Sequence, residues 1–325
     1  MDFITPSRKA RFAQLGYLFK HTFTIFGRER DIVQPIIRMS IYAVVMTSTL
    51  FAGILLIGLQ ARGGGWLLLL GCLLFFYKFF YYNRTGLVLS RLVYATATGG
   101  EADAKTARKN VAGLKRQARV LAWLDMASVL MRSRKSGVLL KVLLASIAGI
   151  WDLVSHFLLP VFAIDQHGLR DGAAELRSLK DNVPESLAGV FGISIMGRVV
   201  GTIMGQVYFF LGVLGVVLGL LFGARMPEAF AFGELGEMFP IPDNWPLIGP
   251  HTVFNWLPLL GTIFLGSVIQ AILARVVDAL KTVYYTLLYT RINHADELSS
   301  DMRADLDGYL KLEAGAEGGA PAPAQ

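Results

Sequence analysis

Ionisable side chains inside long apolar runs are the residues of this sequence best placed to do chemistry. A charge is costly to bury in hydrocarbon, so a charged residue in a membrane helix usually belongs to an ion pair or a solute pathway. Seven such residues interrupt the apolar runs, namely Lys78, Asp125, Asp152, His156, Arg198, Arg275 and Asp278. We take five of them as pathway candidates: Asp152, His156, Arg198, Lys78 and Asp125.

Asp152 and His156 are the pair that most resembles a functional site. They are four residues apart, so they share one face of a helix. Histidine titrates near neutral pH, so this face suits a water-lined path that is sensitive to protons or ions. The alternative is a structural ion pair, for example of Asp152 with Arg198 or Lys78. Lys78 and Arg275 also lie near predicted span ends, where long cationic side chains reach the lipid headgroups.

Two glycine series predict close helix packing. Their members are Gly197, Gly201 and Gly205, followed by Gly215, Gly219 and Gly223. Glycine at every fourth position gives a helix a flat stripe that lets another backbone approach closely. Gly197 and Gly215 are 18 residues apart, which is about five helical turns, so a continuous helix places both series on one face. That face suits a neighbouring helix of the same subunit or of another one.

Composition predicts an all-α, polytopic bundle of transmembrane helices. The chain has 325 residues, of which 54% are hydrophobic and 17% charged, whereas soluble domains carry about 25% charged residues. The apolar residues form runs long enough to cross a bilayer, and the runs do not alternate as membrane strands do. Cys72 is the only cysteine, and the five histidines are scattered. We therefore expect no disulfide, no metal site and no cofactor.

Five segments have the length and composition of membrane spans: residues 36–60, 66–82, 139–164, 200–223 and 252–274. The segment 120–131 is apolar but short for a crossing. Either it crosses together with 139–164, which gives six spans, or the two form a hairpin that dips into the membrane, which leaves four. The short loop 61–65 predicts a tight hairpin between the first two spans. We expect the second helix to continue past the membrane to about residue 97, where Gly99 and Gly100 stop it, and the helical pattern of the last span to run on through Leu288, so that this helix projects into the cytoplasm.

The distribution of charge predicts the orientation. Residues 1–35 form a basic amphipathic segment, and basic residues also follow the first hairpin, so both flanks are expected in the cytoplasm. The membrane domain comprises residues 36–292, and its acidic segment 224–250 is the expected extracytoplasmic loop. The tail 293–325 is expected in the cytoplasm, disordered from about residue 313. We predict a multi-pass protein of the cell (inner) membrane, whose net charge of +7 serves topology and lipid contact rather than nucleic-acid binding.

Two segments resemble uncharacterised bacterial families of multi-span membrane proteins. The first contains Trp151, Leu159-Pro160-Val161, Asp165, Gly168, Ala174 and Ser178-Leu179, and the second contains Tyr284-Tyr285, Tyr289 and Arg291. Choline-transporter-like proteins show a loosely similar Pro-Val segment. The sequence departs from these families at Asp165, where a glutamate is more usual, and in an acid-rich polar helix where a basic one is expected. The resemblance implies the span topology and no assigned activity.

Three functions fit these patterns. The first is an ion or small-solute pathway, a channel or transporter, formed by a homo-oligomer. The second is a non-conducting scaffold or assembly factor whose basic cytoplasmic face binds a protein partner or anionic membrane lipids. A membrane-embedded enzyme has only the Asp152 and His156 pair in its support, and the sequence contains no nucleophile elbow, HExxH, P-loop or GxGxxG motif. We therefore predict no catalytic residue.

Overall fold

The computed structural model describes residues 30–133, 154–168, 170–172, 174, 183–234, 251–300 and 302. Its main helices are α1 (Val33–Gly58), α2 (Gly64–Ala97), α3 (Ala104–Val111), α4 (Lys115–Ser133), α5 (Val154–Ile164), α6 (Val183–Phe222) and α7 (Leu257–Asn293). Two short strands, β1 (Ala231–Glu234) and β2 (Val253–Asn255), form an antiparallel pair.

Among the described residues, four helices are long and apolar enough to cross a membrane. They are α1, α2, the Val199–Arg225 stretch that contains the second half of α6, and the Leu257–Arg291 part of α7. Their windows have a mean hydropathy between 1.5 and 2.4, which together with their length meets the requirement of about 30 Å of hydrocarbon. The predicted all-α class is confirmed, and the four helices indicate a membrane protein.

The chain divides into two compact units. The span unit contains Ser40–Lys78 and Gly197–Arg275, and the core unit contains Met1–Met39, Phe79–Met196 and Val276–Gln325. Helices α1, α2, α6 and α7 each contribute residues to both units, so the apolar crossings continue as helices of the core unit.

Small residues let α1 and α2 approach closely in the span unit. A Cβ on Gly53 would lie 2.7 Å from the backbone nitrogen of Leu68, and one on Gly71 would lie 2.6 Å from a methyl carbon of Leu50. Gly63 turns the chain between the helices with a φ of 99°, a conformation that side chains disfavour. The two helices therefore form a tight hairpin, as the short loop predicts.

The strand pair changes the predicted beginning of the last span. We expected a helix from about residue 252, but residues 253–255 pair with β1 and α7 begins at Leu257. Asn255 caps the helix, since its Oδ1 accepts a hydrogen bond of 3.0 Å from the backbone N–H of Leu257. Phe232, Phe254 and Trp256 pack edge to face beside the strands.

The core unit is built on the continuations of α2 and α7. Between them, the buried hydroxyls of Ser90 and Thr286 lie 2.7 Å apart and form a hydrogen bond. Helices α3, α4 and α5 pack around this pair of helices, and their buried side chains form one hydrophobic cluster. Helix α2 ends where the glycine pair predicts, because Gly99 adopts a φ of 75°.

Several predictions fall outside the described residues. These are the basic segment before residue 30, residues 134–153, most of the predicted loop 224–250 and the tail after residue 302. The described part of the predicted span 139–164 is α5, whose side chains from Phe157 to Ile164 are largely buried in the core unit. The choice between four and six spans stays a prediction.

Candidate functional site

A row of polar positions follows one face of α6 in the span unit. Arg198, Thr202 and Gln206 follow each other at intervals of four residues, so they lie above one another on the helix. We call them the polar row. Gly197, Gly201 and Gly205 each precede a member of the polar row by one residue, and we call them the glycine row. Two adjacent stripes, one polar and one of glycine, thus mark an otherwise apolar helix.

This face is open within the described part of the chain. A Cβ added at Gly197, Gly201 or Gly205 would meet no atom within 4 Å. Thr202 and Gln206 are exposed as well. Within the described part of the chain, no helix therefore covers the glycine row.

The polar row begins at the membrane boundary and extends inward. The helix rise of 1.5 Å per residue places Thr202 about 30 Å and Gln206 about 24 Å from the Phe222 end of α6. A hydrocarbon layer about 30 Å thick that begins at Phe222 would therefore include Gln206 and end before position 198, in agreement with the candidate span Val199–Arg225. Further along, the Tyr208 hydroxyl donates a hydrogen bond of 2.8 Å to Oε1 of Gln270 on α7. Polar groups thus continue from the boundary towards the middle of the span unit.

The second glycine series has a different environment on the same helix. A Cβ on Gly215 would lie 2.4 Å from Thr262 Oγ1, one on Gly219 would lie 2.5 Å from the Asn255 carbonyl oxygen, and one on Gly223 would lie 2.1 Å from the Val253 carbonyl oxygen. Contacts this short leave no space for a side chain. The space beside this series is occupied by β2 and the beginning of α7, whereas no described atom lies within 4 Å of a Cβ added in the glycine row.

The other predicted pathway residues lie in separate places. In the core unit, the His156 ring packs against Tyr285 at 5.7 Å, and Asp125 accepts a hydrogen bond of 2.6 Å from the side-chain amide of Asn83. In the span unit, the Lys78 ammonium lies 3.6 Å from the centre of the Phe75 ring.

Among the described residues, one pathway candidate falls into a row with further polar positions. That candidate is Arg198, whose position on α6 is continued by Thr202 and Gln206. Asp152 lies outside the described residues. A pathway role of His156, Asp125 and Lys78 stays a prediction.

A second cluster surrounds His294, just after the end of α7 in the core unit. Its Nε2 lies 2.9 Å from Asp165 Oδ1, and its Nδ1 lies 2.9 Å from Glu297 Oε1. Tyr289 donates a hydrogen bond to the other oxygen of Asp165, and Tyr94 donates one to the other oxygen of Glu297. This His294 cluster joins the carboxyl end of α7 to the segment after α5.

The charges in the cluster favour a protonated histidine. Burial by itself lowers the pKa of His294, but the hydrogen bond to Glu297 and the negative charges of Asp165 and Glu297 outweigh burial and raise that pKa above its ordinary value. The hydrogen bonds from Tyr94 and His294 lower the pKa of Glu297. Every named polar atom is used within the cluster, which indicates a structural latch. Among the described residues, no group of His, Cys, Asp and Glu side chains is arranged to hold a metal ion.

Sequence reasoning missed Thr202, Gln206 and the His294 cluster. The signal for the first two was available, because they continue the four-residue spacing that begins at Arg198. The cluster gives no such signal, since Asp165 and His294 are separated by 129 residues. Asp165 and Tyr289 belong to the two segments that carry the family resemblance, and the structure places them in contact.

Comparison with known proteins gives no further assignment. No protein-family model, no curated protein and no solved structure matches this chain. The suspected resemblance stays a prediction, and function is argued from the geometry of the chain itself.

Proposed function

We propose that this membrane protein forms a pathway for ions or small polar solutes as a homo-oligomer, with the polar row of α6 along the path. One observation carries the proposal: within the hydrocarbon depth, α6 exposes Gln206 beside glycines that touch nothing in the described chain. Polar groups that face lipid are costly, so such a face requires either another protein surface or water.

The glycine row suits contact with a second copy of α6. Glycine stripes allow two helix backbones to approach closely, which compensates in the membrane for the weak hydrophobic drive between helices. Each member of the polar row follows a member of the glycine row by one residue, so it points about 100° away around the helix. Contact through the glycine rows then turns the polar rows towards the space between copies. Closed rotational symmetry would bring several polar rows around one axis.

The chemistry of the polar row favours particular solutes. Thr202 offers a hydroxyl, Gln206 offers an amide, and Arg198 supplies positive charge at the boundary. Arginine at the mouth of a pore favours anions over cations. We expect a small anion or an uncharged polar solute to pass in preference to a cation.

Two measurements test the oligomeric pathway. Native mass spectrometry of the full chain from lipid nanodiscs should give a ring of several copies for the wild type and fewer copies for Gly201→Leu. The control is Gly261→Leu, because Gly261 on α7 also has no atom within 4 Å of an added Cβ. Flux of chloride or an uncharged solute into proteoliposomes should fall for Thr202→Val and stay unchanged for Thr49→Val on α1. The proposal would be overturned if the wild type is monomeric and its flux is unchanged by substitutions in both the glycine row and the polar row.

A scaffold that binds partners or anionic lipids is the second candidate. The observation in its favour is a group of exposed basic residues on α3 and α4, namely Lys105, Lys109, Lys115, Arg116 and Arg119. A scaffold predicts no flux from any variant. It also predicts that replacing these five residues by glutamine releases the lipids or the protein partner that co-purify with the chain.

The same basic residues support the orientation that we propose, with both termini in the cytoplasm of a multi-pass cell-membrane protein. Cysteine labelling of intact cells tests it in a Cys72→Ser background. A cysteine at Asn110 should resist an impermeant thiol reagent, whereas one at His251 should react. The reverse pattern would contradict the orientation.

A further inference from the structure

Helix α4 of the core unit carries a face that is basic at one end and apolar at the other. Arg116, Trp123 and Leu130 follow each other at seven-residue spacing, and Arg119 lies beside them. Trp123 is 66% exposed and Leu130 is 56% exposed, whereas Leu121 on the opposite side is fully buried. We call these four exposed residues the α4 face. Large apolar side chains at this exposure usually mark an interaction surface.

The contact between α4 and α2 sets the level of this face along the membrane normal. Asn83 follows the first residue of α2 by 19 positions, so it lies about 29 Å along the helix. That is close to the full thickness of the hydrocarbon, about 30 Å. Asp125 accepts a hydrogen bond from Asn83 at 2.6 Å, which places the middle of α4 at the same level. Asp125 of α4 therefore contacts α2 about one hydrocarbon thickness along that helix from its first residue.

The side chains of the α4 face match a membrane interface. Tryptophan is enriched at membrane interfaces, because its ring is apolar and its N–H needs a polar partner. Arginine beside it pairs with the phosphates of anionic lipids. Because the basic and apolar residues share one face but lie at different ends of it, a helix inclined to the membrane surface would place the arginines among the headgroups and Trp123 and Leu130 at the acyl boundary.

We propose that the α4 face is an interfacial anchor, which rests on the anionic leaflet of the same membrane that α1, α2, α6 and α7 cross. Trp123 and Leu130 lie at the boundary of the acyl chains, and Arg116 and Arg119 contact the headgroups. The anchor holds the core unit at the membrane surface and is a site for anionic lipid. It goes beyond the proposed pathway and does not depend on whether the chain conducts solutes.

Spin-label accessibility tests the anchor in the full chain. In a Cys72→Ser background, nitroxide labels are attached at Trp123→Cys, at Leu130→Cys and, as the control, at the exposed Asn110→Cys of α3. Each protein is placed in nanodiscs of phosphatidylcholine with or without phosphatidylglycerol. Labels at positions 123 and 130 should be accessible to oxygen and shielded from a water-soluble nickel chelate, most strongly with phosphatidylglycerol. The label at position 110 should be accessible to nickel in both.

Charge substitution separates lipid contact from burial against protein. Replacing one arginine of the α4 face by glutamine should lower the equilibrium for headgroup contact about fivefold, and Arg116→Gln with Arg119→Gln should return both labels towards water. The control with the same loss of charge is Arg62→Gln with Arg225→Gln, two exposed arginines of the span unit. Circular dichroism and elution volume establish that each variant is folded.

Three results would overturn the anchor. If the labels at positions 123 and 130 are as accessible to nickel as the label at position 110, the α4 face is exposed to water and does not contact lipid. Labels shielded from both reagents would show that protein, such as a second copy, covers the face. An equal response of the labels to the α4 substitutions and to the Arg62 and Arg225 control substitutions would show that no headgroup site exists on α4.

Discussion

Replacing His294 by phenylalanine should release the latch that holds residues 294–300 against the core unit. The ring keeps its size, but both hydrogen bonds to carboxylates disappear. The side chain of Asp165 is 16% exposed and that of Glu297 is 53% exposed. A buried hydrogen bond to a charged group contributes about 1.5–3 kcal/mol, and an exposed ion pair contributes about 0.5 kcal/mol. We therefore expect a loss of about 2 kcal/mol, or about a 30-fold rise in local opening.

The pH dependence of the latch follows from the two shifted groups. The pKa of His294 is raised above its ordinary value of 6.5, so its contribution is complete below that pH and is lost as the pH rises through the raised pKa. The pKa of Glu297 is lowered from 4.5, so its contribution is complete above that pH and is lost as the pH falls through the lowered pKa. The latch should be strongest between the two ordinary values.

Hydrogen exchange of residues 294–300 measures this latch directly. After correction for intrinsic exchange, wild-type protection should be greater at about pH 6 than at about pH 9, and the variant should lose most of this difference. The control is His251→Phe, whose pair with Glu234 has the same 2.9 Å distance but side chains that are 87% and 47% exposed. The reasoning would be refuted if the protection of the wild type did not depend on pH. It would also be refuted if His294→Phe and His251→Phe lowered the protection of their own segments equally.

Two further predictions concern packing and capping. Gly219→Ala should lower the thermal stability of the detergent-solubilised chain, because a Cβ would lie 2.5 Å from the Asn255 carbonyl oxygen and overpacking costs about 1–3 kcal/mol. Gly261→Ala should not lower it, since that position is open and lies outside the glycine row, and a gain of up to about 1 kcal/mol is expected from helix propensity; equal destabilisation would contradict this contrast. Asp103→Ala should loosen α3 in hydrogen exchange, because the Asp103 carboxylate accepts hydrogen bonds from the Lys105 and Thr106 backbone N–H groups. A hydrogen bond from the Thr106 hydroxyl, together with these backbone bonds, lowers the pKa of Asp103, so wild-type protection of α3 should fall at acidic pH; protection equal to that of the variant at neutral pH would refute the cap.

Local sequence patterns predicted the extents of α2 and α7. The apolar run after Gly64 and the glycine pair at 99–100 were sufficient to predict the length of α2. The helical periodicity beyond residue 274 was sufficient to predict that α7 continues past the span. The strand pair was not predicted, because β2 acquires its conformation from a partner about 20 residues earlier in the chain. A short apolar run before a helix carries no signal of such pairing.

The sequence by itself determined the all-α membrane class and the two glycine series, and it left four and six crossings as alternatives. These properties follow from side-chain hydropathy and from helix periodicity, which act over neighbouring residues. Only the tertiary structure decided that Gly215, Gly219 and Gly223 are filled by β2 and α7 while the glycine row stays open. It also decided that Asp165 meets His294 and that the α4 face is exposed. Those outcomes depend on which segments of the chain pack together, and spacing within one helix does not encode its neighbour.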